Sequence, residues 1–199
     1  GATVTHAAIE DGRVPDPTGG FLAQVARGIA YRAVRTRGTV GGSLAHADPA
    51  ADWLSCLTAL GAEVLIAGPR TNRRTPLSAF IRGAMETDLA PDELLLAIRV
   101  RKFSPKARFG FHKICRKTGE FAEAMGVVVD DSEQAYFSVV AGATGGRPLV
   151  MAINVPPRAK TLAIDEAHRL LEQAHFAGDA YELKLHAVAM QRAYRQAFA

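Results

Sequence analysis

Arg35-Thr36-Arg37-Gly38-Thr39-Val40-Gly41-Gly42-Ser43-Leu44-Ala45-His46-Ala47-Asp48-Pro49 is the stretch on which the reading of this chain turns. Its glycines at 38, 41 and 42 allow a backbone with φ > 0 that can approach a ligand with no Cβ in the way. Thr39 and Ser43 supply hydroxyls, and successive amides in such a turn form a concave anion site. Asp48 reads as the N-cap of a following helix and Pro49 as its first residue, where a missing N–H costs nothing. A glycine turn running into a helix start suits a phosphate or pyrophosphate, and Arg35 and Arg37 strengthen the field. The same residues read equally well as a structural turn before an ordinary capped helix. The stretch fits neither G-x-x-x-x-G-K-[ST] nor G-x-G-x-x-G, so residue chemistry alone leaves both readings open.

Outward from this stretch the periodicity alternates between helix and strand. Upstream, Gly12 to Thr18 with its two prolines is a loop, and Gly20 to Ile29 is an amphipathic helix. Downstream, Ala50 to Leu60 places Trp53, Cys56, Leu57 and Leu60 on one helical face, and Gly61 ends it. Ala62 to Gly68 is a strand, Ser78 to Met85 a short helix, and the segment after Pro91 a strand reaching Val100. From about Phe103 the character changes: Met125 to Val129 and Tyr136 to Ala141 read as strands of a small sheet, with a turn over Gly142 to Arg147. Asp165 to Ala174 and Ala180 to Phe198 are helices, the second with a packing stripe of Leu183, Ala187, Met190, Tyr194 and Phe198.

Composition removes several classes of function. At 199 residues, 48% hydrophobic and 22% charged, the chain has the makings of a substantial core in one domain or two small ones. No run approaches the ~18 apolar residues of a membrane span, and the expected location is cytoplasmic. The net charge of +4 raises nucleic acid as a partner, but the basic residues are spread, with local clusters at Arg70/Arg73/Arg74 and Arg99/Arg101/Lys102. No aromatic platform or zinc-finger spacing accompanies them, so nucleic-acid binding is not expected. Cys56 and Cys115 stand far apart and read as buried free thiols, and no C-x-x-C offers an iron–sulfur or zinc site. No Ser/His/Asp or Cys/His arrangement supports nucleophilic catalysis. No metal site is expected in this chain.

Five segments carry a resemblance. Ile29 to Arg35 leading into Thr36 to Asp52 resembles the second flavin-binding motif of the FAD-binding medium subunits of molybdenum hydroxylases. These are the carbon monoxide dehydrogenase, xanthine dehydrogenase and aldehyde oxidoreductase relatives. Asp88 to Val100 resembles the family's L-x-P-x-E-x-L-x-x-I-x-x-P segment, with Arg101 in place of the closing proline. Phe109 to Ala122 resembles its Y-E-K-x-x-R-R-x-G-D-x-A signature, and Pro156-Pro157-Arg158-Ala159 its loop before the last helices. Gly1 to His6 is similar to the family's strand with "TxH", which normally lies tens of residues into the protein. On that comparison the chain is expected to lack the first βαβ unit, whether as a recombinant piece, a proteolytic fragment or the product of a divided gene.

The resemblance implies an α+β fold in two parts. Residues 1–102 would be the second subdomain of a PCMH-type FAD-binding domain, with a mixed sheet and helices. Residues 103–199 would be the flavoprotein's C-terminal domain, a small antiparallel sheet plus helices. It implies FAD contacts from Thr39, Val40, Gly41, Gly42 and Ser43 at the pyrophosphate and ribityl region. Asp52 would lie near the cofactor, or else be an exposed carboxylate in a first helical turn. Ile29 would meet the adenine or be a core residue at a helix end, and Leu95 would lend its strand backbone to the adenine or its ribose. Phe111, His112 and Lys113 would stand near the isoalloxazine; Phe111 lacks the hydroxyl of the family's tyrosine. His46 reads as a loop residue packing the turn. The implied partners are an iron–sulfur small subunit with [2Fe-2S] clusters and a large subunit with the molybdenum–pterin cofactor. Electrons would pass through FAD to an external acceptor. The alternative is a truncated, non-catalytic assembly or regulatory module that holds no flavin by itself.

Overall fold

The computed structural model describes residues 1–153 and 161–199. The Pro156–Ala159 loop lies outside the described residues. Five helices come first: α1 (His6–Glu10), α2 (Phe21–Arg27), α3 (Arg32–Arg35), α4 (Val40–His46) and α5 (Asp52–Ala59). Strands β1 (Glu63–Ala67), β2 (Asn72–Pro76) and β5 (Leu94–Arg99) form a sheet in the order β2-β1-β5. Between β2 and β5 lie a single-turn helix α6 (Leu77–Phe80) and a small ladder of β3 (Ile81–Gly83) with β4 (Glu86–Thr87). The second sheet runs in chain order through β6 (Arg108–Ile114), β7 (Ala124–Asp131), β8 (Tyr136–Gly142) and β9 (Leu149–Val150). Helices α7 (Ile164–Gln173) and α8 (Ala180–Ala197) close the chain. The fold is α+β as expected, but every described strand pair is antiparallel, so the first sheet is not mixed.

Helix α5 is the hub. All its residues are buried, rather than one apolar face alone. Trp53, Leu54 and Leu57 join a core that takes in Leu44, Val64, Ile66 and Phe80 on one side and Val127, Val129 and Val140 of the second sheet on the other. Burying side chains of this size contributes about 1.5–3 kcal/mol each. The opposite face of the second sheet, with Val128, Val139 and Ala141, packs on Leu171, Met190 and Tyr194 of α7 and α8. Strand β7 is covered on both faces, which explains why its sequence is a continuous apolar run instead of an alternation. Gly110 lets α8 lie directly on β6, because a Cβ there would overlap the carbonyl of Ala193. Helix α8 opens on a capping box in which the Asp179 carboxylate accepts from Glu182 N at 2.8 Å and the Glu182 side chain accepts from Asp179 N.

Several local expectations fail for identifiable reasons. Gly1 to His6 is not a strand: Thr5 caps α1, its Oγ1 accepting from Ala8 N at 3.2 Å. The helix over Ser78–Met85 stops at Phe80, and Ile81 onward pairs with β4 because the chain must turn back over the core. Helix α5 begins at Asp52 rather than Pro49, since Asp48 spends its carboxylate on a turn, accepting from Ala50 N at 2.9 Å. Helix α3 and strands β2 and β9 carry no periodic signal strong enough to announce them. Cys56 is buried and free, while Cys115 is free but half-buried.

Candidate functional site

The glycine-rich stretch is itself a helix. Thr39 is the N-cap of α4, its Oγ1 accepting from Gly42 N at 3.0 Å. Gly38, Gly41 and Gly42 are absent from the positive-φ residues, so their conformational freedom is not what places them there. Gly41 is small because the N-terminal segment crosses it: its N–H donates to Ala2 O at 2.8 Å, and a Cβ would sit 2.6 Å from that oxygen. Val40 N donates to Val4 O at 3.0 Å and Ser43 N to Thr39 O at 3.0 Å. The amides from Val40 to Ser43 are therefore engaged within the chain and do not form an open anion nest. This corrects the turn-based reading of the motif. The positive φ instead falls on Ala47, at 54°, where α4 ends.

Helix α4 is a partition between two clefts. On one side lies a cavity of about 680 Å³ whose walls include Val40, Val4, Leu22, Trp53, Leu57 and Ile98, with Asp16, Arg99 and Lys102 among its polar residues. On the other lies a cleft of about 560 Å³ lined by Ile29, Ser43 and Asp52 together with His6, His46, Asp48, Ala51, Trp53, Arg116 and Phe121. Three of the sequence-derived residues, Ile29, Ser43 and Asp52, thus converge on one cleft. Val40 faces the other cavity, Gly41 is buried under Ala2, and the Gly42 N–H is spent on the Thr39 hydroxyl. Leu95 is a half-buried strand residue packed against the first core and lines neither space.

Asp52 is not the exposed carboxylate that was one of its two readings. It is 5% exposed. Its Oδ1 lies 2.9 Å from Lys113 Nζ, and both side chains are nearly enclosed. The Lys113 ammonium donates to Gly28 O at 3.0 Å, so it ties the end of α2 to the start of α5. Asp52 Oδ1 is fully enclosed and faces the Lys113 ammonium. Burial pushes the Asp52 carboxyl up, and Lys113 opposes this. The neighbouring Cys56 thiol is pushed well up by burial, and so stays neutral.

Strand alternation separates the three consecutive residues expected at the isoalloxazine. Phe111 packs toward the first core and Lys113 toward Asp52, whereas His112 faces α8, 3.3 Å from a guanidinium nitrogen of Arg192. Burial, then Arg192 and Arg195, lower the His112 pKa. His112 is therefore turned away from the cleft, as the two-residue period of a strand requires. His46 belongs to the last turn of α4, not a loop, and its side chain is exposed at the cleft.

Some of the lining could not be found from spacing. His6 is buried with Nδ1 accepting from Trp53 Nε1 at 3.0 Å, a contact spanning 47 residues. Burial, then Arg35, lower its pKa, which favours the neutral ring that this bond needs. The loop after β6 supplies Arg116, Glu120 and Phe121, and Ala30 N donates to Gly119 O at 3.0 Å to hold that loop against α2. Exposed Tyr31, Val34 and Phe121 leave apolar surface near this opening. The basic clusters are largely neutralised: Arg73 pairs with Asp88 and Glu93, holding Glu93 at about 2, and Arg74 and Arg99 both meet Glu63. Among the described residues no group of three or more His, Cys, Asp or Glu is arranged to hold a metal. No helix of the described residues is long and apolar enough to cross a membrane.

What this arrangement offers is a mostly apolar cleft with a nearly enclosed carboxylate and a serine among its lining residues. Residues 1–102 match the family described as "FAD binding domain in molybdopterin dehydrogenase". The carbon monoxide dehydrogenase medium chain of Hydrogenophaga pseudoflava is 37% identical over 109 residues, 55% of this chain and 38% of that one. Caffeine dehydrogenase subunit beta of Pseudomonas sp. (strain CBB1) is 31% identical over 135 residues, 67% of this chain and 45% of that one. This chain therefore spans less than half the length of these two curated relatives. Among solved structures, quinoline 2-oxidoreductase from Pseudomonas putida 86 superimposes with a TM-score of 0.80 at 27% identity, covering 100% of this chain and 73% of that one.

Proposed function

From the premise that the chain belongs to the FAD-binding domain family of molybdopterin dehydrogenases, we propose that it holds FAD in the cleft between α4, α5 and the loop after β6. It is an oxidoreductase subunit in this reading, with residues 1–102 as the FAD-binding part and 103–199 as the flavoprotein's C-terminal part. The observation that carries the proposal is the convergence on one cleft of Ile29 from the turn after α2, Ser43 from α4 and Asp52 from α5. The donor set suits a flavin dinucleotide: apolar walls for the rings, a hydroxyl at Ser43, and a carboxylate at Asp52 that can accept from a cofactor hydroxyl or imide N–H. FAD supplies the electron-transfer chemistry when bound. The residues of this chain bind it, orient it and exclude water beneath it, with Trp53 and Ile29 covering apolar surface. Electrons would arrive from [2Fe-2S] clusters of a small subunit, after oxidation of a substrate at the molybdenum–pterin cofactor of a large subunit. The C-terminal helical face is a candidate docking surface for them.

One observation favours a second reading, a module that assembles with partners without holding flavin. The amides of Val40 to Ser43 are already engaged, so the glycine motif offers no ready pyrophosphate cradle. Titration of the purified protein with FAD separates the two. Quenching of flavin fluorescence and retained absorption bands after gel filtration support the first; a protein that stays colourless after incubation supports the second.

A further inference from the structure

Gly28, Ile29 and Ala30 lie in the turn between α2 and α3, and Ile29 and Ala30 line the smaller cleft. All three of their carbonyls accept from side-chain cations: Gly28 O from Lys113 Nζ at 3.0 Å, Ile29 O and Ala30 O from one terminal nitrogen of Arg35 at 2.9 and 2.8 Å. The rest of that guanidinium closes on Glu10 of α1 as a fork, Nε donating to Oε2 at 2.8 Å and the other terminal nitrogen to Oε1 at 3.1 Å. All but one of its N–H donors are taken up inside the chain. Arg35 is 9% exposed and lines neither the larger cavity nor the cleft. It is therefore not the free charge beside the glycine stretch that its position in the sequence suggests.

The turn needs a clamp. Ala30 holds φ at 43°, in the left-handed region that disfavours any residue with a Cβ. Such a conformation persists only where its surroundings over-determine it. On the side away from Arg35, Ala30 N donates to Gly119 O at 3.0 Å, and a Cβ on Gly119 would lie 2.9 Å from Ala30 O. The turn and the loop after β6 thus meet backbone to backbone, and both line the cleft.

We propose that Arg35 is a positioning residue for the cleft: by gripping Ile29 O and Ala30 O it holds Ala30 left-handed, and so presents the Ile29 side chain as the wall on which an apolar ring of the cofactor rests. This rests on the flavin reading and deepens it, replacing a charge expected to draw a diphosphate with a clamp that shapes the ring pocket. Arg32, on the same short helix, is the contrast. It reaches the same Glu10 and also Asp11, each at 2.7 Å, but its bonds go to carboxylates alone and leave the cleft turn untouched.

The test is FAD affinity by fluorescence quenching, with a thermal melt of each protein, in the wild type, Arg35→Lys, Ala30→Gly, the double variant Arg35→Lys/Ala30→Gly, and Arg32→Gln. Lysine keeps the charge facing Glu10 but has no fork with which to serve the carboxylate and both carbonyls. We expect Arg35→Lys to weaken FAD binding about tenfold in the otherwise wild-type chain. With Ala30→Gly already in place the same change should cost no more than about twofold, because glycine takes the left-handed conformation unaided. Arg32→Gln should lower Tm and leave affinity unchanged. Wild-type affinity in Arg35→Lys would overturn the proposal, since charge alone would then suffice. A loss in Arg35→Lys that is just as large with Ala30→Gly in place would overturn it too, because Arg35 would then act through the fold at large. Should Arg35→Lys not fold, Ala30→Val decides: a β-branched residue resists the left-handed turn, so affinity should fall about tenfold, and unchanged affinity would overturn the proposal. Failure of the wild-type protein to bind FAD at all would overturn the flavin reading, and this inference with it.

Discussion

Two hollows share one wall, and they differ in chemistry more than in size. The cavity on the Val40 side of α4 is the larger, about 680 Å³ against about 560 Å³. It is walled by Val4, Leu22, Leu57 and Ile98, and its rim charges are in part spoken for, Arg99 by Glu63. The smaller cleft on the Ser43 side has a buried carboxylate, a serine and two histidines among its apolar walls. Volume favours the first; the flavin proposal rests on the second, where a nearly enclosed carboxylate paired with Lys113 is among the lining residues. A cofactor site is marked by polar groups that the fold keeps dry at a cost and leaves facing a space.

The partition itself is where the comparison breaks most easily. Gly41→Val would drive side-chain atoms into the Ala2 carbonyl, 2.6 Å from even a Cβ, and push α4 toward the cleft. We expect a loss of roughly 3 kcal/mol, about 10 °C in Tm, by calorimetry, with FAD affinity falling alongside. The next effect discriminates the two spaces. Ser43→Phe should weaken FAD binding about tenfold or more while barely moving Tm, because the new ring enters the small cleft. Val14→Phe, directed at the larger cavity, should leave FAD affinity within about twofold. The opposite outcome for this pair would move the flavin to the other side of α4.

The smallest effect concerns the histidine at the back of the smaller cleft. His6 has a folded-state pKa below its unfolded value of 6.5, so the unfolded chain binds the extra proton more readily. Its stabilising influence is complete above that unfolded pKa and declines as pH falls through it. The carboxylates with lowered pKa values, Glu10 and Asp11, act in a separate window below their unfolded values of 4.5 and 3.8. We expect a shallow fall in Tm as pH drops from 7 to 5.5, flattened in His6→Gln; an unchanged slope in that variant would remove His6 as its source.

Legibility from sequence followed the range of the interactions. Helices α2, α7 and α8 and strands β1, β7 and β8 announce themselves because apolar spacing records one buried face, or two for β7. The Thr39–His46 stretch misled because glycine suggests φ > 0, while the deciding contact lies with Ala2, far along the chain. The separation of His112 from Lys113 was available in the two-residue strand period and outweighs their adjacency in a motif. The bond from Trp53 to His6 left no local trace, since it joins side chains 47 residues apart. Asp52 and Lys113 lie 61 positions apart, and only the folded chain shows which of them looks into the cleft.

Enclosure of α5 has a consequence for how the molecule can be cut. Its Leu54, Leu57 and Trp53 belong to a core that Val127, Val129 and Val140 complete from the far half of the chain. A polypeptide ending at residue 102 would retain the matched family segment yet lose the roof over that helix and the lysine behind Asp52. Such a piece should be sticky and poorly folded in isolation, and restoring 103–199 in trans should rescue it, as two shells closing on a shared kernel.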